Sequence, residues 1–373
     1  MEGILICNRG IEDLACLEIR EILGSETKTL PGEGYSFFHA KDIRDVCTMA
    51  YLSQCASRVC LVLSKISFSD LEDLHNKAKN TDASQWLSES TTFKVEAQSA
   101  EENLHDIEES VGAVLHDTWH SAVNLENPSR VIYLFIASDH AFLCVDFSGE
   151  DLSKRSYRIF SSPKNIKSTI AYAIVRYSGY ERGEALLDPF CISGSIAIEA
   201  ALYENSFPVR FFDKKFLFSN LTEFDYDPFD AKRQTDNGRI FAFDSLFKHV
   251  DAAKKNAKIA GIHKAIQFSR MDVEWLDTKF DSQSIDRIVT CLPSLSRYAN
   301  HKEILKVYDE FFHQAEFILK KEGRIVAAVR NPTEVKEKGL SNGFELEDER
   351  RVWQGQENFF VQKYRHASAK KPK

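Results

Sequence analysis

The sequence has no surplus of basic charge: 48 Lys and Arg stand against 56 Asp and Glu, for a net charge of −8. Phosphate binding along a whole surface needs an excess of Lys and Arg. General nucleic-acid coating is therefore excluded, while a local basic face stays open. No apolar run approaches the ~18 residues that a membrane helix requires. Residues 1–8 lack a basic n-region and their apolar stretch is short, so no secretory signal is expected and the expected compartment is the cytoplasm. None of the eight cysteines forms a Cys-x-x-Cys pair; the nearest two, Cys55 and Cys60, have four residues between them. Zinc and dithiol redox spacings are thereby excluded, and the cysteines are expected to be reduced packing residues. Internal repeats and low-complexity tracts are also missing.

What is present is the balance of a globular protein. Hydrophobic residues make up 43% and charged residues 28% of 373 positions, enough for two or three domains at ~150 residues each. Residues 93–97 alternate as a strand. Ser99, Glu101 and Glu102 open a helix that continues through Leu104, Ile107, Val111, Val114 and Leu115. Residues 131–137 and 141–147 read as a β-hairpin split by Ser138-Asp139-His140. Residues 7–80 are mixed and less regular, with Leu14, Leu17, Glu18 and Glu21 on one early helix.

Further on, Pro163 is expected to open a helix that runs to about Tyr177. Strand and helix signals then alternate: strands at 185–187, 239–243, 265–268, 285–290 and 324–329, helices at 195–203 and 247–260. The apolar runs at 285–290 and 324–329 suit strands buried on both faces of a parallel sheet. Residues 344–352 and 358–364 suit a terminal hairpin. The alternation predicts a doubly wound α/β sheet. Residues 205–237 form a long connection with seven Phe and one Tyr, which predicts an ordered flap.

Three places in this pattern carry chemistry. Asp188-Pro189-Phe190-Cys191-Ile192-Ser193-Gly194-Ser195 follows a strand and opens a helix, where backbone N–H groups can meet a ligand. An ordinary strand-to-helix turn has the same signature. Asp244 ends the next strand, where an acid can accept hydrogen bonds from a ribose diol; a helix N-cap is its plainer role. Asp272 follows the strand at 265–268 and is the weakest of the three signals.

The segment Asp146-Phe147-Ser148-Gly149-Glu150-Asp151-Leu152-Ser153-Lys154-Arg155-Ser156-Tyr157-Arg158 resembles the linker of the THUMP-domain RNA methyltransferases, which make N2-methylguanosine in tRNA and have relatives acting on ribosomal RNA. Their pattern there is D-x-S-G-x-x-L-x-K-R-G-Y-R, with Ser156 here in place of Gly. Residues 93–146, including Asn127-Pro128, resemble a THUMP domain. Residues 188–200 are similar to the family's D-P-x-C-G-S-G-T-x-x-I-E-A, with Ile198, Glu199 and Ala200 in register. Asn256, Ala257, Ala260 and Gly261 resemble its N-A-x-x-A-G.

The resemblance implies an α/β chain in which an N-terminal mixed α/β THUMP-containing region precedes a Rossmann-like class I methyltransferase domain. The implied boundaries are 1–150 for a ferredoxin-like plus THUMP RNA-binding region, 151–180 for a linker and leading helix, 181–366 for the methyltransferase domain and 367–373 for a disordered tail. It implies S-adenosylmethionine as cofactor, lined by Asp188, Ser193, Gly194, Asp244 and Asp272, with Asp272 receiving the adenine amino group. The implied partner is RNA, expected to be the acceptor end of tRNA, with Lys154, Arg155, Arg158, Lys164 and Lys167 on its phosphates. A solvated charged surface is the alternative reading of these residues.

Two departures qualify the resemblance. Ile192 replaces the first Gly of the small-residue turn, adding bulk and disfavouring positive φ. Where the family has Asn or Asp followed by Pro-Pro-Tyr, this chain has Cys291-Leu292-Pro293-Ser294, so the catalytic positions are Cys291, Pro293 and Ser294. A thiol cannot hold an exocyclic amine as a carboxamide does, and Ser294 cannot stack on a flipped base. A catalytically degenerate tRNA-binding or partner-binding homologue is thus an alternative. A third reading makes Cys291 the nucleophile of a C5-pyrimidine methyltransferase, although those enzymes place the Cys after a Pro.

Overall fold

In a computed structural model of the chain, the structure describes residues 1–99, 104–137, 140–163, 165–234, 238–295 and 300–367. It divides into two compact units. The first is Met1–Cys7, Ala15–Leu152 and Asp213–Tyr226; the second is Asn8–Leu14, Ser153–Phe212 and Asp227–Lys373.

The chain begins with β1 (Glu2–Ile6), α1 (Glu12–Leu23), β2 (Thr27–Thr29), β3 (Tyr35–His39), α2 (Ile43–Leu52), β4 (Arg58–Ser67) and α3 (Leu71–Ala78). It continues with β5 (Thr92–Gln98), α4 (Leu104–Trp119), β6 (Ala122–Val123), β7 (Arg130–Ala137) and β8 (His140–Asp146). These strands form one sheet in the order β2-β3-β1-β4-β8-β7-β5-β6. The expected hairpin is β7–β8, antiparallel from Ile132 opposite Val145 to Ala137 opposite His140. Arg58 ion-pairs with the buried Asp146 at the end of β8 and with Glu96 of β5 at 2.7 Å, tying three strands together. Asp146 also accepts the N–H groups of Ser148 and Gly149. The opening Asp of the D-x-S-G motif therefore shapes the turn that leaves the sheet.

The second unit holds α5 (Ser168–Tyr177), β9 (Ala185–Asp188), α6 (Ser195–Glu204), α7 (Asp227–Asp230), β10 (Arg239–Asp244), α8 (Phe247–Ile259) and β11 (Ile266–Arg270). β12 (Ile285–Cys291), α9 (His301–Ile318), β13 (Leu319–Val329), α10 (Pro332–Ser341), β14 (Phe344–Gln354) and β15 (Glu357–His366) complete it. The sheet order is β11-β10-β9-β12-β13-β15-β14. β9 pairs in parallel with both β10 and β12, and β14 and β15 form the expected antiparallel hairpin. The order reverses at β9, and in open parallel sheets ligands bind at such a switch, outside the carboxyl ends of the strands.

Three expectations change. α5 begins at Ser168, not at Pro163. The Lys167 N–H is held by Gln354 Oε1 at 2.7 Å with the Lys167 backbone extended, and the Asn165 side chain reaches Ser193, so the helix starts only after Lys167. The 151–180 linker is no separate piece: Ser153 onward lies in the second unit. The 205–237 connection is split, because Asp213–Tyr226 belongs to the first unit, where Phe216, Phe224 and Tyr226 pack edge-on against Tyr51. Residues 368–373 of the expected tail and Ser138-Asp139 of the expected turn lie outside the described residues.

Candidate active site

The carboxyl ends of β9, β10 and β12 bring Asp188, Asp244 and Cys291 to the switch point. Asp188 ends β9 and is 1% exposed. Its Oδ1 accepts the Thr290 hydroxyl at 2.6 Å and the Phe190 N–H at 3.2 Å. Burial, against the pull of those two bonds, raises its carboxyl to about 7, and the Asp244 charge adds to the rise. It is a buried acid that can change charge near neutral pH.

After Asp188 the loop turns sharply. Ile192 has φ 50° and Gly194 has φ 82°. Gly194 is the N-cap of α6, and a Cβ there would lie 2.9 Å from the Ala253 Cβ of α8, so no larger residue fits without moving that helix. Ile192 is the anomaly. A β-branched residue in the left-handed region carries strain of roughly 1–2 kcal/mol. The loop is held there by its N–H, which donates to Asp244 Oδ2 at 3.0 Å. Two distant amides brace the rest of the turn: Asn165 donates to the Ser193 hydroxyl, and Asn256 donates to the Ser193 carbonyl at 3.0 Å. Asn256 also exchanges both of its amide groups with the backbone of Phe160. Neither amide was legible as a site residue, although Asn256 sits in the N-A-x-x-A-G match.

Relief of the Ile192 strain is testable. Ile192→Gly is expected to stabilise the fold by up to ~1 kcal/mol, the strain released exceeding the chain entropy that Gly adds. Urea denaturation measures it, and a lowered midpoint would show that the loop's packing around Ile192 outweighs its strain.

Asp244 ends β10 with both oxygens engaged. Oδ1 accepts the Leu246 N–H and His249 Nδ1, each at 3.0 Å, while Oδ2 takes Ile192. Asp272 is exposed, and its side chain makes no capping bond to the short helix it precedes. It lines a cleft of about 210 Å³ together with Phe190, Met271, Val273 and Ser245. The slot has Phe190, Met271 and Val273 on its walls and Glu274, Lys306 and Glu310 beside Asp272, and can take a flat heteroaromatic ring that bears an amino group. Beside the loop, the Ser195 hydroxyl at the start of α6 is buried with no hydrogen-bond partner among the described residues, an orphaned group that a ligand on the helix N-terminus would satisfy. The loop, the two acids and the slot therefore fit an adenosyl cofactor.

At the end of β12 the Cys291 thiol is pushed up to about 12, by burial first and then by the Asp188 charge. Such a thiol is not ionised at neutral pH, which counts against the C5-pyrimidine reading of Cys291. The Pro293 carbonyl accepts the Tyr308 hydroxyl, so that backbone oxygen already has a donor. All eight cysteines are free, seven of them buried, as expected of packing residues.

The basic set is not one surface. Arg155 is corrected as a phosphate contact: its side chain is 1% exposed and pairs with the fully buried Glu199 at 2.9 Å. Tyr157 donates to the same carboxylate at 2.7 Å, and its oxygen lies 3.0 Å from the Ser168 hydroxyl, which can donate to it. The K-R-x-Y-R and I-E-A motifs are thus two halves of one buried cluster. Lys154 is exposed, and Arg158 and Lys167 are half-buried. Lys164 lies outside the described residues. Among those residues, no group of His, Cys, Asp or Glu could hold a metal ion, and no helix is long and apolar enough to cross a membrane.

A sheet that reverses at β9, an acid at the tip of each of the neighbouring strands β9 and β10 and a small-residue turn into α6 define a Rossmann-like methyltransferase domain. Residues 155–356 match the UPF0020 family, the RMKL-like methyltransferase domain, and residues 68–146 match the THUMP domain. The chain belongs to this RMKL-like methyltransferase family, whose cofactor is S-adenosylmethionine. It is 27% identical to a tRNA (guanine(6)-N2)-methyltransferase of Methanocaldococcus jannaschii, over 95% of this chain and 97% of that one. It is 25% identical to the ribosomal RNA large subunit methyltransferase K/L of Photobacterium profundum, over 82% of this chain and 45% of the other. Among solved structures, SMU.472 in complex with SAH superposes with a TM-score of 0.81 at 20% identity, covering 99% of both chains. TrmN from Thermus thermophilus gives 0.74 at 22%, covering 98% and 99%. These two likenesses concern the fold.

Proposed function

We propose that this chain transfers a methyl group from S-adenosylmethionine to the exocyclic amine of a guanine near the acceptor end of tRNA. The observation that carries the substrate is the end-to-end similarity to a tRNA (guanine(6)-N2)-methyltransferase; the acid-tipped cleft supports the chemistry. The cofactor supplies a sulfonium-bound methyl group. Asp244 would hold its ribose, Asp272 its adenine amino group, and the Ser193–Gly194 turn with the Ser195 hydroxyl its polar end. Asp188 would place a negative charge beside the cation. In the segment Cys291-Leu292-Pro293-Ser294, the Ser294 hydroxyl is the one side-chain oxygen available to a target amine. The half-buried Cys291, whose thiol cannot hold an amine as a carboxamide does, favours a second reading, a protein that binds cofactor and RNA without turnover.

Incubation of the protein with an unmodified tRNA transcript and labelled S-adenosylmethionine, followed by nucleoside mass spectrometry, separates the two. N2-methylguanosine is expected. Cofactor and tRNA binding with no methylated nucleoside would leave the second reading.

Lys154 and Arg158 remain the linker's candidates for phosphate contacts. Replacing both by Ala should lower the slope of log K against log salt by up to ~1.8, the counterion-release value for two charges. The change should be alike for different tRNA sequences, since phosphate contacts position without specifying. Fluorescence anisotropy at several salt concentrations measures it, and an unchanged slope would make these residues ordinary solvated charges.

A further inference from the structure

The ribose assignment of Asp244 meets an obstacle in its own hydrogen bonds. A carboxylate has about four acceptor sites, two on each oxygen. Both sites of Oδ1 are filled, by the Leu246 N–H and His249 Nδ1, and one site of Oδ2 is filled by the Ile192 N–H. A cis-diol gripped by both oxygens needs one vacancy on each, and Oδ1 has none. One donor must leave. Two of the three are backbone N–H groups, fixed by the α6 turn and by the entry to α8. The third is the His249 side chain, on the first turn of α8 and 19% exposed, a donor that side-chain rotation alone can withdraw.

We propose that His249 is a gate on the cofactor's ribose site: its imidazole holds Asp244 in the empty protein and must swing off before the diol binds. His249 is then a positioning residue that keeps the carboxylate aimed and lowers the cofactor's apparent affinity. This rests on the assignment of Asp244 to the ribose. The arrangement belongs to this chain's own residues, because a donor at position 249 competes only where Leu246 and Ile192 already occupy the other sites.

The test is calorimetric titration with S-adenosylmethionine of the full-length protein and of three variants. His249→Ala, which removes the competing donor, should bind on the order of tenfold more tightly, as for a lost hydrogen bond to a charged group. His249→Gln, which can still donate to Asp244, should stay near the wild-type affinity; a merely structural histidine would not separate these two variants in this direction. Asp244→Ala should bind at least tenfold more weakly. In the wild type, the His249 ring Nδ1 resonance should move on cofactor addition as its carboxylate partner is lost. Weaker or unchanged binding by His249→Ala, with Asp244→Ala impaired, would overturn the gate and leave the ribose assignment standing. Unimpaired binding by Asp244→Ala would overturn both.

Discussion

Arg155→Ala is expected to destabilise the second unit by about 3–5 kcal/mol, the usual result of stranding one member of a buried ion pair. The Arg155 and Glu199 side chains are 1% and 0% exposed, so water cannot replace the missing partner. Glu199 would lose its cationic partner while staying buried, and burial disfavours a carboxylate without a countercharge. The pair fastens the segment after Leu152 to α6, and α6 begins at the cofactor turn, so cofactor affinity should fall with stability. Replacing both partners together, Arg155→Met with Glu199→Leu, should recover a large part of the loss, because two well-packed apolar side chains carry no stranded charge. Urea denaturation of the single and double variants measures this. A loss under ~1 kcal/mol for Arg155→Ala, coupled to a lower salt slope for tRNA, would return Arg155 to the RNA-contacting set.

Asp188→Asn should act in opposite directions on stability and on cofactor binding. Burial lifts the folded carboxyl from an ordinary value of 3.8 to about 7. The folded protein therefore holds a proton that the unfolded chain has released between these values. The stabilising contribution of the protonated acid is complete below about 3.8 and is lost as pH climbs through about 7. At pH 8 the wild type carries a buried charge that Asn avoids, and the variant should be more stable by roughly 2–4 kcal/mol, on a scale of about 1.4 kcal/mol per unit. At pH 4 the two should be nearly equal. Affinity for a cationic cofactor should fall in the variant, most clearly at pH 8 where Asp188 is ionised. Thermal unfolding across pH 4 to 8 checks the first part; equal pH profiles for the two proteins would contradict it.

The parts of the fold that were legible in the sequence are those fixed by local pattern. Apolar runs marked β7, β8, β12 and much of β13, and alternation marked β5. Gly194 and Asp244 could be placed because a turn into a helix and the tip of a strand are local features. What was missed depends on partners far along the chain. Arg155 looked like a surface cation because Glu199 stands 44 residues away. Pro163 looked like a helix start because the contacts that hold Asn165 and Lys167 outside the helix come from Ser193 and Gln354. The N-terminal part of the first sheet was obscure because β1, β2 and β3 are short and pair out of order, as β2-β3-β1-β4. Helix α9 could have been found, since Tyr308, Phe311, Phe312, Ala315 and Ile318 recur at helical spacing and are buried. His249 gave no signal at all: its importance comes from the number of donors already on Asp244.

Calorimetric titration of the purified protein with S-adenosylmethionine tests the central claim, that the turn from Asp188 to Ser195 with Asp244 and Asp272 is a working cofactor site. The account predicts one site per chain with a dissociation constant in the micromolar range, corresponding to about −8 kcal/mol, and a weaker one in Asp244→Ala. No heat at millimolar cofactor from a folded protein would contradict it.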